Sequence, residues 1–78
     1  MQENIIALTS VKEGKSAELV GVEGGSQLNR RLADMGLIKG VRVKVLNCHG
    51  RGPCVVRLGD SRLILGYGMA HRVMVKEI

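Results

Sequence analysis

Apolar and basic residues alternate in the second half of the chain, and this alternation limits the fold more than any other feature. Three valines lie two positions apart and are separated by basic residues: Val41, Arg42, Val43, Lys44 and Val45. Successive side chains of a β-strand point to opposite faces of a sheet, so a period of two predicts a half-buried strand here. One face would contact an apolar core, and the other would present positive charge to solvent.

Other short apolar runs, bounded by turn residues, predict the remaining strands. Gly59-Asp60 between two of these runs is typical of a tight hairpin turn. Short connections favour antiparallel pairing, and a small sheet avoids exposed edges by closing into a barrel. The expected fold class is therefore mostly β, a small five-stranded SH3-like or OB-like barrel. We expect its strands at 16–23, 41–45, 54–58, 61–65 and 72–77, with residues 1–9 as a terminal arm and a short helical turn at 66–71, before the last strand.

One segment has the period of an α-helix. Three apolar residues recur at intervals of four and three positions: Leu28, Leu32 and Met35. This spacing places them on one helical face, which we expect to pack against the core. Ser26 is a suitable N-cap, and Gly36 suits the left-handed residue that ends many helices. The sequence therefore predicts one α-helix over 26–35, inserted after the first strand.

Composition and charge favour a binding module over an enzyme. The chain has 78 residues and no Phe or Trp, which predicts a single domain (1–78) with a thin aliphatic core. Residues 1–38 carry four basic and five acidic side chains, whereas 39–78 carry eight and two. The second half therefore predicts a surface for an acidic protein, a nucleic acid or an anionic membrane. No nucleophile–base arrangement can be recognised, so we expect no enzymatic activity and no small-molecule substrate.

Four basic residues should project from the outer faces of neighbouring strands: Arg42, Lys44, Arg57 and Arg62. Such residues often serve only to keep a sheet surface solvated. The alternative is docking against an acidic protein surface or anionic lipid headgroups. Leu37 and its neighbour Ile38 would add an exposed apolar contact to the docking site. Nucleic acid is the weaker alternative, because small barrels stack bases on aromatic side chains and Tyr67 is the only aromatic residue.

Two cysteines and two histidines are the soft candidate metal ligands: Cys48, His49, Cys54 and His71. Thiolate and imidazole suit Zn²⁺ or Fe²⁺, but the five residues between the cysteines differ from the close pairs of most structural zinc sites. The same residues can equally be ordinary strand and loop residues. A disulfide is geometrically conceivable. However, the chain does not open with a signal-peptide pattern, so we expect a cytoplasmic protein with reduced thiols.

A longer pattern runs almost from end to end. Its most distinctive part, Arg-Leu-x-x-Met-Gly-Leu-x-x-Gly, occupies residues 31–40, and Gly52-Pro53 follows at a later corner. Small and apolar residues surround these two stretches in a set order: Leu8, Gly14, Ala17, Val20, Val22, Gly24, Gly25, Val43, Val45, Val55, Gly59, Leu63, Leu65, Ala70, Val73 and Val75. In this combination the chain resembles the FeoA family of small cytosolic proteins of ferrous iron uptake. It departs from the family at Arg51 and at 66–69, where FeoA proteins often carry an aspartate and a charged turn.

This resemblance implies an SH3-like barrel, a domain that also occurs at the C-terminus of iron-dependent repressors. It implies an accessory or regulatory protein that binds FeoB, a membrane permease for Fe²⁺ with a cytosolic GTP-binding domain, at the inner face of the cell membrane. No cofactor is required by this interpretation. Three alternatives stay open: a transition-metal sensor that binds iron or zinc through the cysteine loop, a basic nucleic-acid-binding barrel, and weak homo-oligomerisation.

Overall fold

Six antiparallel strands form one sheet in the part of the chain that the computed structural model describes, residues 4–48 and 50–78. The strands are β1 (Ile5–Ala7), β2 (Ser16–Val22), β3 (Arg42–Cys48), β4 (Cys54–Leu58), β5 (Ser61–Leu65) and β6 (Val73–Glu77). Their order across the sheet is β1-β6-β2-β3-β4-β5. The molecule measures 30 × 27 × 25 Å, so the sheet curls around its core instead of lying flat.

The mostly β class is confirmed, but the expected number of five strands is wrong. The terminal arm supplies the additional strand, because Ile6 lies opposite Val75 and extends the sheet beyond β6. Without β1, the backbone groups on that edge of β6 would have no strand partner. Residues 1–3 of the predicted arm lie outside the described residues. No backbone hydrogen bond joins β1 to β5 in the described ranges, so the barrel is open between these two strands.

The inserted helix α1 spans Ser26–Asp34, close to the predicted 26–35. The N-cap is Gly25, and it makes no side-chain cap hydrogen bond, so the expected capping by Ser26 is wrong. At the other end, Gly36 has φ +92°. Its N–H donates to the Ala33 carbonyl at 2.9 Å, and the Leu37 N–H donates to the Leu32 carbonyl at 2.9 Å. These two bonds form a Schellman motif, which ends the helix and returns the chain toward the core.

The short helical turn expected at 66–71 is present as α2, Tyr67–His71. A 3₁₀ turn, Leu8–Ser10, packs against it. The predicted strands at 54–58 and 61–65 have the bounds of β4 and β5, whereas β3 continues three residues beyond the predicted 41–45. The helical period and the period-two alternation therefore locate the elements, and the ends differ by a few residues.

The core is aliphatic, as the absence of Phe and Trp requires. Its buried members come from every strand except β1, from both helices, from the 3₁₀ turn and from the connections after that turn and after α1: Leu8, Val11, Ala17, Leu19, Leu32, Leu37, Val43, Val45, Cys54, Val56, Leu65, Ala70, Val73 and Val75. On β4, and on β3 as far as Val45, the alternation places every second side chain in this core. The intervening side chains therefore form the outer face of the same strands.

Candidate docking surface

Three basic side chains form one row across the outer face of β3, β4 and β5. Lys44 lies opposite Arg57, and Arg57 lies opposite Arg62. All three residues are exposed. Directly opposite residues on antiparallel strands have Cβ atoms about 4.5–5.5 Å apart, so the three cations are immediate neighbours. We call Lys44, Arg57 and Arg62 the basic row.

The positive charges of the basic row are not neutralised within the described part of the chain. Like charges that face each other across neighbouring strands destabilise a sheet. In the described part of the chain, no carboxylate forms an ion pair with the basic row. The Arg57 Nε instead donates a hydrogen bond of 3.3 Å to the Gly59 carbonyl, which directs this side chain over the hairpin turn. The row is thus an uncompensated positive surface that an anionic group on another molecule could neutralise.

Arg42 was predicted to belong with these three residues, and its environment differs. It lies on the same face, two residues before Lys44 on β3, but its cross-strand neighbour is Glu18 on β2. The Arg42 Nε is 3.9 Å from the Glu18 Oε1, and 71% of the arginine side chain is exposed. An exposed ion pair of this kind contributes little stability, but it reduces the positive charge at this position.

A shallow depression of about 400 Å³ lies beside the basic row. The residues that line it are Ser16, Arg42, Val43, Lys44, Arg57, Gly59 and Ile78. Its cations come from three of the four predicted docking residues, and the exposed Ile78 adds an apolar wall. The depression is open to solvent. It can therefore receive an acidic side chain from a protein partner, but it does not enclose a small molecule.

An apolar pair of one half-buried and one exposed residue continues this face, and it is not among the docking residues expected from the sequence. Val55 on β4 lies opposite Ile64 on β5, one step along the outer face from the Arg57–Arg62 pair. Ile64 is 68% exposed, the highest value among the large hydrophobic residues that the structure leaves exposed. The signal was available, because Ile64 lies two residues from Arg62 on a strand with period-two alternation.

Leu37 does not belong to the docking surface. It is only 3% exposed, so the expected exposure of Leu37 is wrong. The cause is the Schellman motif, in which the residue after the left-handed glycine packs against the last turn of the helix. Here Leu37 follows Gly36 and is buried in the same core as Leu32. Its neighbour Ile38 is exposed.

The two cysteines lie opposite each other at the end of the β3–β4 hairpin and form a disulfide, with their Cα atoms 4.2 Å apart. The structure therefore differs from the expectation of reduced thiols. The strand register explains the pairing, because it places the two residues in direct cross-strand contact. Bonded to each other, the sulfurs of Cys48 and Cys54 are not the thiolates that bind zinc or iron.

The histidines do not complete a metal centre within the described residues. The His71 ring lies on α2, where it stacks on Tyr67 and its Nδ1 is 3.4 Å from the Thr9 Oγ1. His49 lies outside the described residues. Within residues 4–48 and 50–78, no three His, Cys, Asp or Glu side chains come close enough to hold a metal ion. The structure therefore does not bring His71 together with the cysteines.

Comparison with known proteins connects this chain to a family of ferrous iron transport. The family model of the FeoA domain matches residues 6–77. The chain belongs to the FeoA family. A crystal structure of an iron uptake regulatory protein (FeoA) superimposes with a TM-score of 0.89 at 32% identity, over 96% of this chain and 100% of that chain. The SH3-like fold class and the association with ferrous iron transport are therefore established for this FeoA-family chain.

Two further relatives show how widely this FeoA-type domain is used. A protein from Methanocaldococcus jannaschii, whose name provisionally assigns it to Fe(2+) transport, is 29% identical over 70 residues, 90% of this chain and 84% of its own length. The iron-dependent repressor IdeR of Mycobacterium tuberculosis is 31% identical over 96% of this chain, but the match covers only 35% of the repressor. The domain thus occurs both as most of a protein and as one part of an iron-responsive regulator. Neither helix of the described chain is long and apolar enough to cross a membrane.

Proposed function

We propose that this FeoA-family chain is a non-enzymatic accessory protein of ferrous iron uptake that binds the cytosolic part of a FeoB-type GTP-binding permease. The observation that carries the proposal is the basic row, Lys44, Arg57 and Arg62, on the outer face of three adjacent strands. Membership of the FeoA family supplies the iron-transport context. The proposed partner surface is acidic, because an anionic surface relieves the repulsion within the row.

The exposure of the row suits a reversible regulatory contact. Exposed charges accelerate encounter with an oppositely charged partner and set its orientation, and they contribute less to the lifetime of the complex. Such a contact weakens as salt rises, because the screening length falls from about 10 Å at 0.1 M to about 3 Å at 1 M. We therefore expect a complex that forms quickly and dissociates readily.

The proposed location is the cytoplasm, with recruitment to the inner face of the cell membrane by the permease. Anionic lipid headgroups near that face would attract the same cations and would raise the local concentration of the protein. The mechanism requires no resident cofactor, because the basic row acts through its own charge. The net charge of +5 supports this location beside an anionic partner.

Plain binding to nucleic acid is the main competing use of a basic surface. Sequence-tolerant binding of single strands depends on aromatic side chains that stack on bases. The one tyrosine is half-buried in α2 and stacks on His71, and α2 contributes no residue to the basic row. This arrangement favours a protein partner.

A pull-down from solubilised membranes of the native host tests the proposed function. The bait is the intact chain, and retained proteins are identified by mass spectrometry at 0.1 M and 0.5 M salt. We expect a large polytopic GTP-binding permease to be retained at low salt and released at high salt. Retention of nucleic acid or ribosomal proteins without the permease would contradict the proposal.

A further inference from the structure

Strand β5 is an edge of the sheet, and its turn determines which of its backbone groups are free. The order of strands ends at β5, which pairs only with β4. Leu58 and Ser61 flank the two-residue turn Gly59-Asp60, whose glycine has φ +61°, as a type II′ hairpin requires. Residues that flank such a turn form the hydrogen-bonded pair that closes the hairpin.

From that pair, hydrogen bonding alternates along β5. The backbone groups of Ser61, Leu63 and Leu65 point toward β4, whereas those of Arg62 and Ile64 point away from it. Among the described residues, no backbone or side-chain hydrogen bond outside the β4–β5 pair involves Arg62 or Ile64. Two N–H donors and two carbonyl acceptors are therefore free along the open edge of β5.

We propose that β5 binds an extended segment of the protein partner as an additional antiparallel strand. The inference rests on the proposed docking function of the basic row and adds the form of the partner segment. Pairing of backbones along the edge would provide up to four hydrogen bonds, two at each outward-facing residue. The side chains on the outer face of the added strand would then meet Arg62 and Ile64.

These two side chains define the sequence that the edge accepts. A residue of the added strand opposite Arg62 continues the basic row, so it should be Asp or Glu. The residue two positions earlier lies opposite Ile64, which is 68% exposed beside Val55, so it should be apolar. The proposed ligand is therefore an extended segment with the pattern apolar-x-acidic.

Charge argues against a second copy of this chain as the occupant. If two β5 strands paired around a two-fold axis at Leu63, Arg62 of each copy would lie opposite Ile64 of the other. The two basic rows would then lie on one face of a continuous sheet, with six cations and no acidic residue opposite them. Arg62 of one copy would then lie diagonal to Arg62 of the other, about 7–8 Å away, with no carboxylate to neutralise the added charge, whereas an acidic segment neutralises the row.

The first test uses the five-residue peptide Ac-Thr-Val-Thr-Glu-Thr-NH₂ in an NMR titration of the intact, isotope-labelled chain. Its Glu lies opposite Arg62 and its Val opposite Ile64, and both have N–H groups that face β5. We expect the largest chemical-shift changes at the amides of residues 62–64. N-methylation of the Glu removes one donor and should weaken binding by about tenfold or more.

The matched control is the same peptide N-methylated at the central Thr, whose N–H faces away from β5. It has the same charge and composition, and we expect its affinity to stay within about twofold of that of the parent. Equal weakening by the two modifications would overturn the inference, as would shift changes centred on another surface or the absence of binding. A DNA oligonucleotide that displaces the bound peptide as effectively as unlabelled parent peptide does would also overturn it. That result would indicate simple attraction of anions.

A pair of protein variants tests the same backbone groups. Ile64→Pro removes the outward N–H without removing a bond to β4, and proline is tolerated on edge strands with this orientation. Ile64→Thr also removes the apolar side chain but keeps the N–H. We expect the proline variant to bind the peptide about tenfold more weakly than the threonine variant, and equal affinities would count against strand addition. If the proline variant does not fold, the N-methylated peptides decide the question.

Failure of this inference can be distinguished from failure of the proposed function. If the permease binds and its binding depends on the basic row, but the peptide does not bind to β5, only strand addition is wrong. If the peptide binds at β5 as expected and the cytosolic part of the permease does not bind at all, the proposed function is wrong.

Discussion

The inner and outer faces of β3, β4 and β5 are built from neighbouring residues and have opposite roles. Val43, Val45 and Val56 point inward and are buried. Lys44 and Arg57, one residue away along the same strands, point outward and form part of the basic row. A shift of one residue in register would exchange these faces. The same register therefore creates both the core and the proposed docking surface, although single substitutions should separate their effects.

The side chains of the two faces contribute to the free energy of folding with opposite signs. Burial of a Val or Leu side chain contributes about 1.5–3 kcal/mol, and each inner residue adds a term of this size. The basic row contributes unfavourable repulsion, moderated by exposure to solvent. Inner-face substitutions should therefore reduce stability, and outer-face substitutions should change recognition.

The largest expected difference lies between two adjacent aliphatic residues of β5. Leu65 is 1% exposed, whereas Ile64 is 68% exposed. Leu65→Ala should lower the free energy of unfolding by about 3 kcal/mol, and Ile64→Ala by less than about 1 kcal/mol, although both remove a similar side chain. Urea denaturation measures both. Similar losses would show that the two faces of β5 do not differ in burial as described.

The disulfide ties the end of the β3–β4 hairpin and should have the next largest effect. Cys48 and Cys54 are separated by six positions, and closing so short a loop stabilises the folded state by about 2 kcal/mol through chain entropy. Urea denaturation with and without a reductant should show this difference. The Cys48→Ala/Cys54→Ala variant is the control, since a reductant should not change its stability. If the reductant did not change the free energy of unfolding of the wild type, the prediction would be contradicted.

Gly36 ends α1, and replacing it should lower the free energy of unfolding by less than loss of the disulfide does. Its φ of +92° is unfavourable for other residues, and an added Cβ would lie 2.9 Å from the Leu58 Cδ2. Gly36→Ala should therefore cost about 1–2 kcal/mol. The control is Gly68→Ala in α2, where a Cβ meets nothing within 4 Å and alanine is the better helix former. Thermal unfolding should show opposite shifts, and shifts of the same sign would contradict this account of Gly36.

The smallest expected effect on stability belongs to the basic row itself. Replacing Lys44, Arg57 and Arg62 by Gln removes repulsion between neighbours, so stability should stay equal or rise by about 0.5 kcal/mol. The same repulsion predicts that raising the salt from 0.05 M to 1 M stabilises the wild type more than this variant. Urea denaturation at the two salt concentrations measures the difference. A loss of more than about 1 kcal/mol would show that the row supports the fold.

The sequence predicts the fold class well because its signals are local. Period-two alternation locates β3, and the turn at Gly59-Asp60 sets the pairing of Arg57 with Arg62. The alignment of Lys44 with Arg57 cannot be predicted from local sequence in the same way. A register irregularity between Val45 and Asn47 shifts β3 relative to β4, and no local sequence signal predicts this shift.

Two other differences from the expectations have separate causes. Residues 5–7 are too few to be identified as a strand, and they form one only because the edge of β6 is available. Leu37 follows a helix-ending glycine and was expected to be exposed, but the Schellman motif places it in the core. The motif includes a contact between this position and the last turn of the helix, so the burial of Leu37 could have been predicted from Gly36.

The most direct test of the central claim measures binding of the purified cytosolic part of a FeoB-type permease by isothermal titration calorimetry. The wild type is compared with Lys44→Gln/Arg57→Gln/Arg62→Gln and with the control Lys12→Gln/Arg30→Gln/Arg31→Gln. The control neutralises three exposed cations elsewhere, so both variants have the same net charge. We predict a loss of about tenfold or more for the first variant and less than about twofold for the control. Equal affinities for the two variants would contradict the assignment of the basic row as the docking surface.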